Sequence, residues 1–204
     1  MKKKLLLSII VTTPLLAGVI IVGYWFWSDV LTKKPPLPEL GSVPSFSLTS
    51  EDSGKVTREN LTGRVSIADF IFTSCAGTCP MMTAQMSDLV KNLADEPRIQ
   101  FVSFSVDPET DTPAILSQYA RDHHAPRGTW KFLTGDRNQI YGLTRNGFHL
   151  AVESDSADGG GILHSQKFVL VDDRAVIRGY YDSEDSVAMQ SLAVDARRLA
   201  GRHE

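Results

Sequence analysis

The chain has 204 residues, which suits one domain with appendages, and a formal net charge of −3. That charge argues against a nucleic-acid binder, which would carry a basic excess. With 42% hydrophobic and 22% charged residues the composition is that of an ordinary globular protein. Lys2, Lys3 and Lys4 precede an almost uncharged run from Leu5 to Trp27, long enough to span a bilayer as a single transmembrane helix. Tyr24, Trp25 and Trp27 cluster at its far end, as in an interfacial aromatic belt, and the lysines should stay in the cytoplasm. A cleaved signal peptide is the competing reading, but Val19 to Trp27 offers no clear small-x-small cleavage site. The expected layout is a basic cytoplasmic segment at 1–4, an anchor at 5–27, a Pro-rich tether at 28–44 and a folded domain at 45–204. The protein would then be single-pass in the inner (cytoplasmic) membrane with its domain in the periplasm. Pro35, Pro36, Pro38 and Pro44 bias the tether towards extended polyproline II.

Beyond the tether, helical and strand patterns alternate. Phe46–Leu48 and Lys55–Thr57, around Asp52-Ser53-Gly54, predict a short hairpin. The run 65–72 is mostly apolar, rich in β-branched and aromatic residues, and predicts a strand. Met82, Met86, Leu89, Val90 and Leu93 at helical spacing predict a helix over 80–94. There follow a strand at 99–106, a helix near 113–123, a strand at 130–133 and a helix near 137–147. Strands at 167–172 and 176–181 flank the turn Asp172-Asp173-Arg174, and a last helix covers about 186–199. The alternation predicts an α/β sandwich of thioredoxin-like order with an N-terminal β-hairpin extension.

The only two cysteines, Cys75 and Cys79, are separated by three residues and followed at once by Pro80. A disulfide closing so short a loop stabilises by only about 2 kcal/mol, against about 4.7 for a hundred-residue loop. The pair is better suited to chemistry than to stapling. Pro80 fits the first helical position, which would put Cys79 at the N-cap and Cys75 in the turn above it. Free N–H groups and the helix dipole favour thiolate there. The plainer alternative is two buried, inert cysteines.

A dithiol needs a further ligand to hold a metal. Among five histidines, His203 lies near the chain end, His123 and His124 sit at a predicted helix terminus, and His149 follows a helix exit. His164 follows Gly159-Gly160-Gly161-Ile162-Leu163 and precedes the strand at 167. In a sandwich of this order that loop lies beside the dithiol turn. A hydrogen-bonded loop histidine is an equal reading. Met82 and Met86 at helical spacing read as core rather than as copper thioethers.

Three ordered motifs carry a family resemblance. The segment Phe72-Thr73-Ser74-Cys75-Ala76-Gly77-Thr78-Cys79-Pro80 resembles the signature of the SCO/SenC family, membrane-tethered thioredoxin-fold copper proteins of cytochrome c oxidase assembly. Ser105-Val106-Asp107-Pro108-Glu109-Thr110-Asp111-Thr112-Pro113 is similar to that family's motif after the next strand. Leu163-His164-Ser165 precedes a Phe-x-Leu-Val-Asp strand in the family's order. The resemblance implies Cys75, Cys79 and His164 as copper ligands. Two soft thiolates and an imidazole suit Cu(I), and one more ligand would suit Cu(II). It implies Asp107 as a loop-ordering acid beside the site, with an Asx-turn or capping role as the alternative. It implies a metallochaperone for the CuA centre, with an oxidase subunit as copper recipient. Leu163, where many relatives carry an acid, Thr110 and the Ala76-Gly77-Thr78 insert depart from the common pattern and leave the delivery target open.

Other functions stay open. The same dithiol suits a membrane-anchored thiol–disulfide oxidoreductase that keeps partner cysteines reduced, although the spacing is not Cys-x-x-Cys. The last proline is Pro126, so the loop facing the dithiol carries His164 and no proline. A redox or copper sensor is a third reading. A peroxiredoxin-type peroxidase lacks an assignable arginine to activate its thiolate.

Overall fold

The computed structural model describes residues 18, 20–25, 27, 35–150, 153–154 and 163–201. The chain divides into two units, one reaching to Pro36 and one from Leu37 onward. In the first, Gly18, residues 20–25 and Trp27 are helical. Most of the anchor predicted at 5–27, and tether residues 28–34, lie outside the described residues. Among the described residues no helix is long and apolar enough to cross a membrane.

The second unit is built on an eight-stranded sheet. In chain order come β1 (Gly41–Ser42), β2 (Ser47–Ser50), β3 (Lys55–Thr57), β4 (Val65–Ile71), helix α1 (Thr78–Asn92), β5 (Ile99–Ser105), α2 (Pro113–Asp122) and β6 (Trp130–Thr134). Then follow α3 (Arg137–Gly142), β7 (Glu153–Ser154), β8 (Leu163–His164), β9 (Lys167–Val171), β10 (Val176–Asp182) and α4 (Ser186–Ala200). The sheet order is β1-β10-β9-β4-β5-β6-β2-β3, and β7 pairs with β8 in a separate two-stranded ladder. Strands β4, β5 and β6 run parallel, joined by the crossovers α1 and α2, while β9 is antiparallel to β4. The predicted N-terminal hairpin forms as β2–β3 and also extends the main sheet, because β2 pairs with β6.

Strand periodicity builds the two cores. Every residue of β4 is buried. Ile67 and Ile71 face Met82 and Met86 of α1, Leu116 of α2 and Leu192 and Ala196 of α4. Ala68 and Phe70 face the opposite layer, made by Ile140 of α3, Leu143, Phe148 and the hairpin residues Phe46, Leu48 and Val56. Phe70 stacks on Phe104 at 5.0 Å and meets Phe148 edge-on at 5.1 Å. Burying each such side chain contributes roughly 1.5–3 kcal/mol. Met82 and Met86 are core residues, as their spacing indicates.

The structure departs from the sequence reading in three places. Helix α1 starts at Thr78 with Gly77 as N-cap, so Cys79 is inside the first turn rather than at the cap. Pro80 does not prevent this, since first-turn N–H groups have no intrahelical acceptor. The helix predicted near 137–147 is α-helical only to Gly142, and Leu143–Gly147 is a π turn. There the Thr144 hydroxyl donates back to the Ile140 carbonyl at 2.8 Å, and Phe148 N–H reaches the Leu143 carbonyl at 2.7 Å. Finally, the last part of the expected tether is strapped to the domain. Leu40 N–H donates to the Ile177 carbonyl and Val43 N–H to the Ala175 carbonyl, both at 2.9 Å.

That strap rests on a buried ion pair. Arg178 and Asp172 are both buried and meet at 3.1 Å. Arg178 also donates to the Leu37 carbonyl and meets Glu39 at 3.2 Å. Asp172 further accepts from Arg174 N–H and Val176 N–H in the β9–β10 turn, each at 2.9 Å. Removing one partner of a buried pair leaves an uncompensated charge. Asp172→Ala should therefore cost about 3–5 kcal/mol in urea unfolding, whereas Glu39→Ala, at an exposed carboxylate, should cost far less.

Candidate functional site

The dithiol hangs from the end of β4. Phe72 follows the strand, Cys75 N–H closes a turn on the Phe72 carbonyl at 3.3 Å, and α1 begins three residues after Cys75. Cys75 is partly exposed and Cys79 buried, and the two thiols are not joined. Burial pushes the Cys75 thiol up, but the Cys79 thiol and the N–H groups of Cys79, Gly77 and Thr78 outweigh it and hold Cys75 below the usual thiol range. Burial pushes the Cys79 thiol up to about 12, helped by the hydrogen bond and charge of Cys75 and the charge of Asp69. A partly exposed thiol held below its usual range thus sits beside a buried thiol held well above it.

Asp69 lies beneath them. It is the one ionisable residue in β4, fully buried between Ile67 and Ile71 on the same side of the sheet as Cys79. Neither carboxylate oxygen has a well-formed hydrogen bond. Ser103 lies opposite on β5, and its hydroxyl accepts from the Trp130 indole at 2.9 Å. Burial pushes the Asp69 carboxyl up to about 7, with Ser103 offsetting part of the shift. Sequence reading passed over this residue; its signal was a lone carboxylate in an otherwise uncharged strand.

A second buried acid orders the turn. Asp111, fully buried, accepts from Thr73 N–H at 3.1 and 3.3 Å, from the Thr73 hydroxyl, and from the Ser105 hydroxyl at 2.6 Å. Asp107 contributes main-chain bonds: its carbonyl accepts from Thr110 N–H at 3.2 Å and Asp111 N–H at 2.8 Å. Its own N–H donates to the Ser105 hydroxyl at 3.2 Å. The side chain that reaches the dithiol turn from this loop is Asp111.

His164 ends β8, paired with Glu153 of β7. Its side chain, and residues 155–162 with the three glycines, lie outside the described residues. The loop after it does reach the site. Gln166 donates from its amide to the Thr78 hydroxyl at 3.4 Å, and its carbonyl accepts from Ser183 N–H at 2.9 Å. Among the described residues no group of three His, Cys, Asp or Glu side chains is arranged to hold a metal ion. His123 caps the end of α2 and packs on Tyr119 at 4.4 Å. His149 lies against Gly41, where an added Cβ would meet the imidazole at 3.3 Å. His203 is not described.

The sequence model of the SCO1/SenC family matches residues 37–200. The chain belongs to the SCO1/SenC family. A SCO1 homologue of Bacillus subtilis is 36% identical over 147 residues, covering 71% of this chain and 76% of the relative. The solved structure of BsSco, described as carrying a disulfide switch and as a member of the Sco family of cytochrome c oxidase assembly proteins, is 32% identical. It superposes with a TM-score of 0.71 over 83% of this chain and 98% of its own. ScoI of Bradyrhizobium japonicum, solved with copper bound, shares the fold at 22% identity and a TM-score of 0.64, covering 78% of this chain and 99% of its own. The SCO1/SenC match begins at Leu37, where the strap begins, and ends at Ala200, the last residue of α4.

Two outcomes follow for this SCO1/SenC dithiol. Limited iodoacetamide treatment of the reduced protein at neutral pH should modify Cys75 well before Cys79, read by peptide mass spectrometry. Asp69 gives a pH signature of stability. Its carboxyl titrates near 3.8 unfolded and about 7 folded, so the folded state is progressively disfavoured as pH rises from about 4 to about 7, on the order of 4 kcal/mol in all. Asp69→Asn should flatten that slope in urea denaturation measured from pH 5 to 8.

Proposed function

We propose that this chain is a membrane-anchored copper carrier of oxidase assembly. It would bind copper through Cys75, Cys79 and His164 and pass it to the CuA centre of an oxidase subunit. The observation that carries the reading is the unjoined dithiol at the end of β4, with Cys75 cradled by three N–H groups and the His164 loop tied to Thr78 through Gln166. Family membership and the copper-bound ScoI relative support the choice of cargo. The donor set fits: two thiolates and an imidazole are soft enough for Cu(I), and one further ligand would accommodate Cu(II). A structural zinc site would want four protein ligands. Transfer would proceed by exchange of thiolate ligands with the recipient. Asp107 would order the loop beside the site through its main chain. The segment Leu5–Trp27 would anchor the protein in the inner membrane, with Lys2–Lys4 in the cytoplasm and the dithiol domain in the periplasm.

A second reading has its own support. A Cys75 thiol held below its usual range beside a Cys79 thiol pushed up by burial suits an exchange in which one thiolate attacks a disulfide and the other sulfur resolves the mixed disulfide. Insulin reduction by the copper-free protein at rates typical of oxidoreductases would favour that role.

Copper titration separates the two. The reduced protein should bind one copper per chain against a competing chelator, and the oxidised protein none, because the disulfide removes both sulfur ligands. His164→Ala should weaken binding by at least about a hundredfold, more than loss of an outer partner costs. Failure of the reduced protein to hold copper, with no change in His164→Ala, would overturn the carrier reading.

A further inference from the structure

We propose that Asp111 is the positioning residue of the dithiol turn, fixing the backbone that leads into Cys75 from a loop 38 residues downstream of Thr73. Thr73, two residues before Cys75, gives both its main-chain N–H and its hydroxyl to the Asp111 carboxylate. One acceptor therefore fixes both the peptide plane and the rotamer of that residue. The Ser105 hydroxyl donates to the same carboxylate at 2.6 Å and in turn accepts from Asp107 N–H. Asp111 N–H closes on the Asp107 carbonyl at 2.8 Å. The end of β4, the end of β5 and the approach to α2 thus meet on one buried carboxylate.

Among the described residues no other side chain gives the turn as many hydrogen bonds. Apart from the bond between the two thiols, side-chain hydrogen bonds to Thr73–Thr78 among the described residues come from Asp111 and from Gln166, and the latter is a single bond of 3.4 Å to Thr78. Charge-assisted bonds in a buried site are short and strong, and they leave little freedom to the groups they join. The N–H groups of Gly77, Thr78 and Cys79 stay beside the Cys75 thiol only while the turn from Phe72 to Gly77 holds its shape. The Cys75 N–H bond to the Phe72 carbonyl spans that turn, and Asp111 grips it at Thr73, between the two residues that bond joins. This role is the same whether the dithiol carries copper or electrons, so it stands apart from the proposed function. Asp111 touches neither sulfur and acts through Thr73.

The test uses the full chain in detergent, with two readouts. One is the rate of Cys75 alkylation by iodoacetamide. The other is the equilibrium with oxidised dithiothreitol, which takes two electrons and two protons from the thiols as the Cys75–Cys79 bond forms and reduced dithiothreitol is released. Thr73→Val, which removes one donor and keeps the side-chain volume, should slow alkylation and shift the equilibrium constant by about tenfold, the scale of losing an outer-shell partner. Asp111→Asn should do at least as much, and Thr73→Ser should restore wild-type values. Thr112→Ala removes the N-cap of α2, where Thr112 Oγ1 accepts from Ile115 N–H at 3.4 Å. It lowers stability without touching Thr73 and should leave both readouts unchanged. If Asp111→Asn fails to fold, Thr73→Val decides alone. Wild-type rates and equilibria in a folded Thr73→Val, or an equal shift in Thr112→Ala, would overturn the proposal.

Discussion

A strand buried along its whole length carries the dithiol turn, and the site depends on how that strand is held. Strand β4 has no exposed residue, so its position is fixed on both faces by packing: Ile67 and Ile71 against one helical layer, Ala68 and Phe70 against the other. The turn at its end inherits that rigidity on one side only. Beyond Ile71 the chain leaves the ladder; Phe72 and Cys75 still pack against the core, and the rest of its shape comes from hydrogen bonds. These are supplied by the first turn of α1, by the loop after β5 and by the loop before β9.

Placing a dithiol at a helix start and over a closed core sorts the two sulfurs. The outer one is within reach of unpaired N–H groups, which stabilise its anion. The inner one is buried among apolar side chains, which penalise its anion. Asp69 sharpens the division. It places a carboxyl group without a well-formed hydrogen bond in the layer beneath Cys79, at a cost in stability that packing elsewhere must offset. A strand that served only as core would gain from an apolar residue at that position. The acid at that position ties the electrostatics of the buried sulfur to that of the central strand.

Local features were legible in the sequence and distant ones were not. The Cys75-x₃-Cys79 turn, the strand before it and the helix after it could be read because strand periodicity, helical spacing and Pro80 all act within a few residues. The alternation of strands and helices gave the sandwich, since each crossover carries its own apolar stripe. The start of α1 was misjudged because proline is compatible with several first-turn positions, and only the backbone at Gly77 decides among them. Residues 37–44 read as spacer on their prolines, while the feature that straps them, Arg178 against Asp172 and Glu39, lies about 140 residues away. Asp111 was hidden for the same reason. In sequence it resembles the residue before a helix cap, and Asp107, next to Pro108, looked the better acid; the decisive contact with Thr73 crosses 38 positions. Conversely, the strand order placed the His164 loop beside the dithiol, and the Gln166–Thr78 bond agrees with that placement.

The two loops that meet the dithiol hold it very differently. On the side of α2 a buried carboxylate accepts several bonds, the Ser105 one at 2.6 Å. On the side of β8 and β9 the described link is one amide–hydroxyl bond at 3.4 Å, near the limit at which such a bond has strength. A site meant to retain its metal would fix every ligand-bearing segment equally, because each fixed ligand lowers the entropy cost of binding. A carrier has the opposite need. Its thiolates must stay pre-organised so that they capture the ion, and the third ligand must be able to withdraw so that a recipient's sulfur can enter. Under the proposed carrier role, the firmer hydrogen bonding would fall on the Cys75 side and, among the described residues, the lighter on the loop after β8.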